Sequence, residues 1–127
     1  MSADWYDQAI AEVERTLRDA RDALQAWEED LLKIRRLRAD AVPLVEMLND
    51  AIAQGARDRR VAIDEAMAAY RNAVMRLRAV VVRTLVDSEG MTITAVAKLL
   101  RISRQMASRL YAAAEKGVGD PDQANFL

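Results

Sequence analysis

Residues Ile10 to Ile34 read IAEVERTLRDARDALQAWEEDLLKI. Ile10, Val13, Leu17, Ala20, Leu24, Trp27, Leu31 and Ile34 recur with spacings that alternate three and four, the seam of a heptad pattern sustained for nearly four repeats. The positions between them, among them Glu12, Glu14, Arg15, Arg18, Asp19, Arg21, Asp22, Glu28, Glu29 and Asp30, carry mixed charge and read as a solvated face. A helix from about Asp4 to Asp40 would be roughly 55 Å long at 1.5 Å per residue. Such a helix cannot bury its seam alone.

After this stretch, Ala41-Val42-Pro43 reads either as a kink or as the start of a new helix with Pro in its first turn. Leu44, Val45, Leu48 and Ile52 continue an apolar stripe to Gly55, the best candidate for a chain reversal. A second long helix opens near Arg57 or Asp58 and reaches about Asp87, with Ile63, Met67, Tyr70, Val74, Leu77 and Val81 spaced four and three. Two long helices with matching seams and a break between them suggest an antiparallel helical hairpin. Trp27, Tyr70 and the methionines read as core filling, and Trp5 as a contact or anchor. The basic run Lys33, Arg35, Arg36 and Arg38 reads better as a complement to the helix dipole than as a phosphate site.

Composition agrees with an all-α fold. Four Gly and two Pro punctuate 127 residues, while Ala, Leu, Arg and Glu recur throughout. The absence of Cys and His removes thiolate and imidazole metal sites, disulfides, Cys nucleophiles and His bases. Carboxylate pairs such as Glu28-Glu29 and Asp64-Glu65 are adjacent and so point to different sides of a helix, which makes an enzyme a distant expectation. No cofactor and no metal are expected. The start of the chain is acidic, and the longest uncharged run, Gly90 to Ala97, is far too short to cross a bilayer. A soluble, cytoplasmic protein is expected, and the preference for Ala, Val and Arg hints at a bacterial or phage genome.

The formal net charge of −1 hides an asymmetry. Residues 1–70 hold 10 Lys/Arg and 15 Asp/Glu, a balance of −5, while residues 71–116 hold 9 and 3, a balance of +6. The remaining tail adds −2. A local basic field steers a polyanion even when the whole chain is near neutral.

The basic block contains Asp87-Ser88-Glu89-Gly90-Met91-Thr92-Ile93-Thr94-Ala95-Val96-Ala97-Lys98-Leu99-Leu100-Arg101-Ile102-Ser103-Arg104-Gln105-Met106-Ala107-Ser108-Arg109-Leu110. Gly90 can supply the left-handed residue that ends the long helix, and Thr92 can cap a short helix that exposes Lys98 and buries Val96, Leu99 and Leu100. Arg101-Ile102 makes a tight turn with Ile102 plugging the angle. Ser103 is then a suitable N-cap for a last helix reaching about Glu115, with Ala107, Leu110 and either Tyr111 or Ala114 turned inward.

This stretch resembles the helix-turn-helix of bacterial and phage repressors, sigma-like regulators and recombinase DNA-binding domains. The resemblance rests on the small Ala97, the apolar Val96, Leu100, Ile102 and Leu110, and the Ser-Arg-Gln that opens the second helix. In that family the second helix enters the major groove with its N-terminal residues facing base edges. The resemblance implies that Ser103, Arg104, Gln105, Met106, Ser108 and Arg109 contact bases, and that Thr92, Lys98 and Arg101 contact phosphates. Arg101 stands where the family usually has Gly, so it either takes a different backbone angle or bears a left-handed strain of about 1 kcal/mol. Ala107 stands where a larger Val or Ile is usual.

The reading is therefore an all-α protein with a long antiparallel, coiled-coil-like hairpin followed by a C-terminal helix-turn-helix. Residues 1–70 form the oligomerisation region, 71–116 the DNA-binding region sharing a helix with the hairpin, and 117–127 a flexible tail. The function expected is sequence-specific binding of double-stranded DNA by a homodimer or higher oligomer, as in transcription regulation. The alternative is a helical protein-interaction module that does not bind DNA.

Overall fold

The computed structural model describes residues 3–115, and every regular element among them is a helix. These are α1 (Ala3–Ala39), α2 (Leu44–Ala53), α3 (Ala56–Asp87), α4 (Ile93–Leu100) and α5 (Arg104–Glu115). The tail expected at 117–127 lies outside the described residues.

Helix ends follow local chemistry. After α1, Ala41 adopts a left-handed conformation with φ 59°. Its N–H donates to the Arg38 carbonyl at 3.0 Å, and the N–H of Val42 donates to that of Leu37 at 3.1 Å. This is the paired closure of a Schellman cap, made here without the usual glycine. Pro43, with φ −58°, then leads into α2 as a separate helix, which decides between the two readings of Ala41-Val42-Pro43. The chain turns back along α1 at Ala41–Pro43, since α2 and the start of α3 both lie against the second half of α1. Gly55, where the reversal was expected, instead links α2 to α3 with φ +86°, a value that favours a residue without a Cβ.

Contacts divide the chain into two compact units, one comprising Thr16–Ala69 and the other the residues up to Arg15 together with those from Tyr70 onward. In the first, the guanidinium of Arg60 lies 5.6 Å from the centre of the Trp27 ring, Arg59 Nε donates to Asp30 Oδ2 at 2.6 Å, and Lys33 bonds the side chain of Gln54. Later residues of α1 meet earlier ones after it, so α1 and the start of α3 run antiparallel there. Thr16, Ala20, Met47 and Ile63 are buried between these elements.

The heptad seam divides instead of turning inward as one row. Ala20 is buried, whereas Leu17 and Leu24 are each 43% exposed and Leu31 47%. Small Thr16 and Ala20 let the helices approach closely, so their line on α1 goes inside and the leucine line, rotated from it, remains out. Leu44, Val45, Leu48 and Ile52 likewise lie on the exposed side of α2, while Met47 is buried.

The second unit buries Ala73, Ala79, Val80, Val82, Val96, Leu110 and Ala114. Of the row expected to line α3, Ile63 is buried, but Tyr70, Val74, Leu77 and Val81 are only half-buried, with Ala73, Arg76 and Val80 taking the inside positions. Arg76 is 8% exposed and forms an ion pair with Glu12. Burial works against its charged form, so the carboxylate is what makes the position tenable.

That dependence gives a test. Glu12→Ala leaves Arg76 without its partner and is expected to lower unfolding stability by about 2–3 kcal/mol, somewhat under the range for a fully buried pair because Glu12 is partly solvated. Replacing both residues by Leu and Met should recover most of the loss. Urea denaturation of the single and double variants measures the difference, and equal stability of Glu12→Ala and wild type would show that the pair contributes nothing.

Candidate nucleic-acid interface

The C-terminal site is built on two capped helices joined by the three residues Arg101, Ile102 and Ser103. Thr92, in an extended conformation, caps α4 by accepting from the Ala95 N–H at 3.1 Å. Ser103 does the same for α5, accepting from Met106 N–H at 3.0 Å. Each hydroxyl oxygen satisfies an N–H that the first turn of a helix otherwise leaves without a partner. Gly90, with φ +71°, precedes this pair, and the Met91 N–H returns to the Leu85 carbonyl at 3.0 Å to close the end of α3.

Of the two possibilities for Arg101, the structure adopts the strained one, with φ 57° and ψ 46° in the left-handed region. The N–H of Ile102 donates to the Ala97 carbonyl at 3.0 Å, and that of Arg101 to Lys98 at 3.4 Å, again a Schellman closure. Ile102 packs half-buried against the core, as its place in the turn implied. Arg101 itself projects into solvent.

Below α5, Ala107, Leu110 and Ala114 are buried and join Ala79 and Val82 of α3 and Val96 of α4 in one cluster. Their spacing of three and four puts them on one side of α5, which leaves the other side outward. Arg104, Gln105, Ser108 and Arg109 lie there, exposed and side by side. Ser103, Thr92 and Lys98 are exposed as well. Met106 stands apart from the other candidate base contacts, because its side chain is half-buried against the Val96–Leu110 cluster. Leu99 corrects the expected inward set of α4: it is 60% exposed, on the same side as Lys98, while Ala97 takes the buried place. The sequence from Gly90 to Ala114 contains Lys98, Arg101, Arg104 and Arg109 and no carboxylate, so the local charge is uniformly positive.

A second feature fixes α5 and had no local signature. The Arg83 guanidinium stacks over the Tyr111 ring at 4.1 Å, and its Nε meets Asp87 Oδ2 at 2.5 Å. The Tyr111 hydroxyl donates to Asp87 Oδ1 at 2.8 Å. Tyr111 and Asp87 are 24 residues apart, so no periodicity could pair them. The Tyr111 hydrogen bond, with Arg83 adding to it, outweighs partial desolvation and holds the Asp87 carboxyl below its ordinary range.

Among the described residues, no three His, Cys, Asp or Glu side chains come together to hold a metal ion, and no helix is long and apolar enough to cross a membrane. No protein-family model matches the chain, and comparison with curated proteins and with solved structures finds no significant match either.

Two outcomes follow from this geometry. Arg101→Gly relieves a left-handed side chain and should raise stability by about 0.5–1 kcal/mol in denaturant unfolding; a loss of stability would mean that the arginine makes a compensating contact. A carboxylate whose proton affinity is lowered by folding stabilises the fold above the ordinary Asp range and ceases to do so as pH falls through its depressed value. Asp87→Asn and Tyr111→Phe should therefore melt below wild type at pH 7. The gap for Asp87→Asn should close in acid, below about pH 4, and a gap independent of pH would exclude the charged hydrogen bond as its source.

Proposed function

We propose that this chain is a DNA-binding protein whose α4–turn–α5 is a helix-turn-helix with α5 as the reading helix. The single observation that carries the reading is the division of α5 into two sides. Ala107, Leu110 and Ala114 seat it on the core, while Arg104, Gln105, Ser108 and Arg109 present donors together on its outward side, in a stretch, Gly90 to Ala114, whose sequence has no carboxylate. Arg pairs bidentately with guanine, Gln with adenine, and Ser with phosphate or base. Lys98 and Arg101, together with the Thr92 hydroxyl, are suited to the flanking phosphates. Upstream, α1 and α3 are read as a helical hairpin that associates with a second copy, giving two reading helices for two half-sites, as a transcription regulator requires. The exposed apolar sides of α1 and α2 favour a second reading, a protein-interaction module in which α4 and α5 are only structural.

Selection from a random duplex pool, followed by titration at two salt concentrations, separates the two. Arg104→Ala, Gln105→Ala or Arg109→Ala should cost about 1–3 kcal/mol on the selected duplex and relax preference at one base pair. Lys98→Ala should weaken selected and scrambled duplexes alike and reduce the salt slope by about one unit. Unchanged binding by all three folded α5 variants would put the interaction module in front.

A further inference from the structure

Leu17, Leu24 and Leu31 stand seven residues apart on α1, each more than two-fifths exposed. Next to this line runs a second row with the same spacing: Glu14, Arg21, Glu28 and Arg35, all exposed and alternating in sign. Residues seven apart on one helix are about 10 Å apart along its axis. The alternation is therefore not a set of neighbouring ion pairs within α1, which form between residues three or four apart.

The row has a property that selects its occupant. When two antiparallel helices are related by a two-fold axis, residues equidistant from that axis in opposite directions meet, and each flanking row lies beside its own copy. An axis at Leu24 places Leu24 against Leu24 of the second copy, and Leu17 against Leu31. The same axis, within a fraction of a turn, places Glu14 by Arg35 and Arg21 by Glu28. Every charge in the row then meets its opposite, twice over by symmetry. A parallel pair would instead set this row beside Ala20, Trp27 and Ile34 of the second copy, where it gains no opposite charge.

We infer that α1 pairs antiparallel with α1 of a second copy of this chain, in the register that centres the two-fold axis on Leu24. This rests on the dimeric part of the function proposed above and names its surface and polarity. The pairing covers the leucine line that the chain's own packing leaves out, and the charged row fixes its register.

The full chain tests this by sedimentation or light scattering in the absence of DNA, with circular dichroism to confirm that each variant is folded. Arg21→Glu makes both positions of the repeating pair acidic, and Glu28→Arg makes both basic, so each variant alone should dissociate about tenfold or more readily than wild type. An equimolar mixture of the two should form mixed dimers of near wild-type affinity, and so should the chain carrying both changes. Dimers indifferent to both reversals, or reversals that the mixture does not rescue, overturn the register. A wild-type chain that remains monomeric at tens of micromolar overturns the pairing itself. The α5 alanine series on DNA fails or succeeds separately: rescue by mixing with no effect of that series would keep this interface and remove the DNA reading.

Discussion

Alanine governs how these helices meet. Ala9, Ala20, Ala73, Ala79, Ala107 and Ala114 are all buried, most of them completely. A helix packed through alanine approaches its neighbour closely but removes less apolar surface from water than one packed through leucine, at about 25 cal/mol per Å². The interior is thus narrow, and polar contacts share in fixing it: Arg76 with Glu12, Arg59 with Asp30, and Arg83 with Tyr111 and Asp87. The larger apolar side chains are correspondingly displaced to the surface, where all the exposed ones except Tyr6 and Leu99 fall between Leu17 and Val61.

The exposed surface consequently differs along the chain. Residues 16–69 keep apolar rows outside, with Leu44 and Val45 the most open of them. Residues Gly90 to Ala114 keep their apolar side chains largely inside and present cations and hydroxyls. Water disfavours the first kind of surface and solvates the second, so the first is suited to burial against protein and the second to an anionic partner. Association and recognition are in this reading carried by different parts of the sequence.

Rigidity at the second surface comes from the backbone. The closure at Arg101 ties α4 to α5 through the Ala97 and Lys98 carbonyls, and Ser103 caps α5 immediately afterwards. With Leu110 and Ala114 seated below and Tyr111 held from the side, α5 is restrained along its length. Donors on such a helix are already oriented when a partner arrives, which lowers the ordering cost of binding.

Local sequence sufficed for the helical class, for the bounds of α1, α3, α4 and α5, and for the outward placing of Ser103, Arg104, Gln105, Ser108 and Arg109 on α5. These depend on neighbours within four or five residues: caps at Thr92 and Ser103, glycines at Gly55 and Gly90, and the spacing of Ala107, Leu110 and Ala114. Tertiary structure decided which of the apolar lines on α1 went inside, because periodicity ranks side chains by polarity whereas close approach selects for size, and Thr16 and Ala20 fit where Leu17 and Leu24 do not. It also decided that Met106 packs and Leu99 does not, and that Tyr111 reaches Asp87. Each of these is settled by atoms distant in sequence, whose packing energy can outweigh a local preference of about 1 kcal/mol.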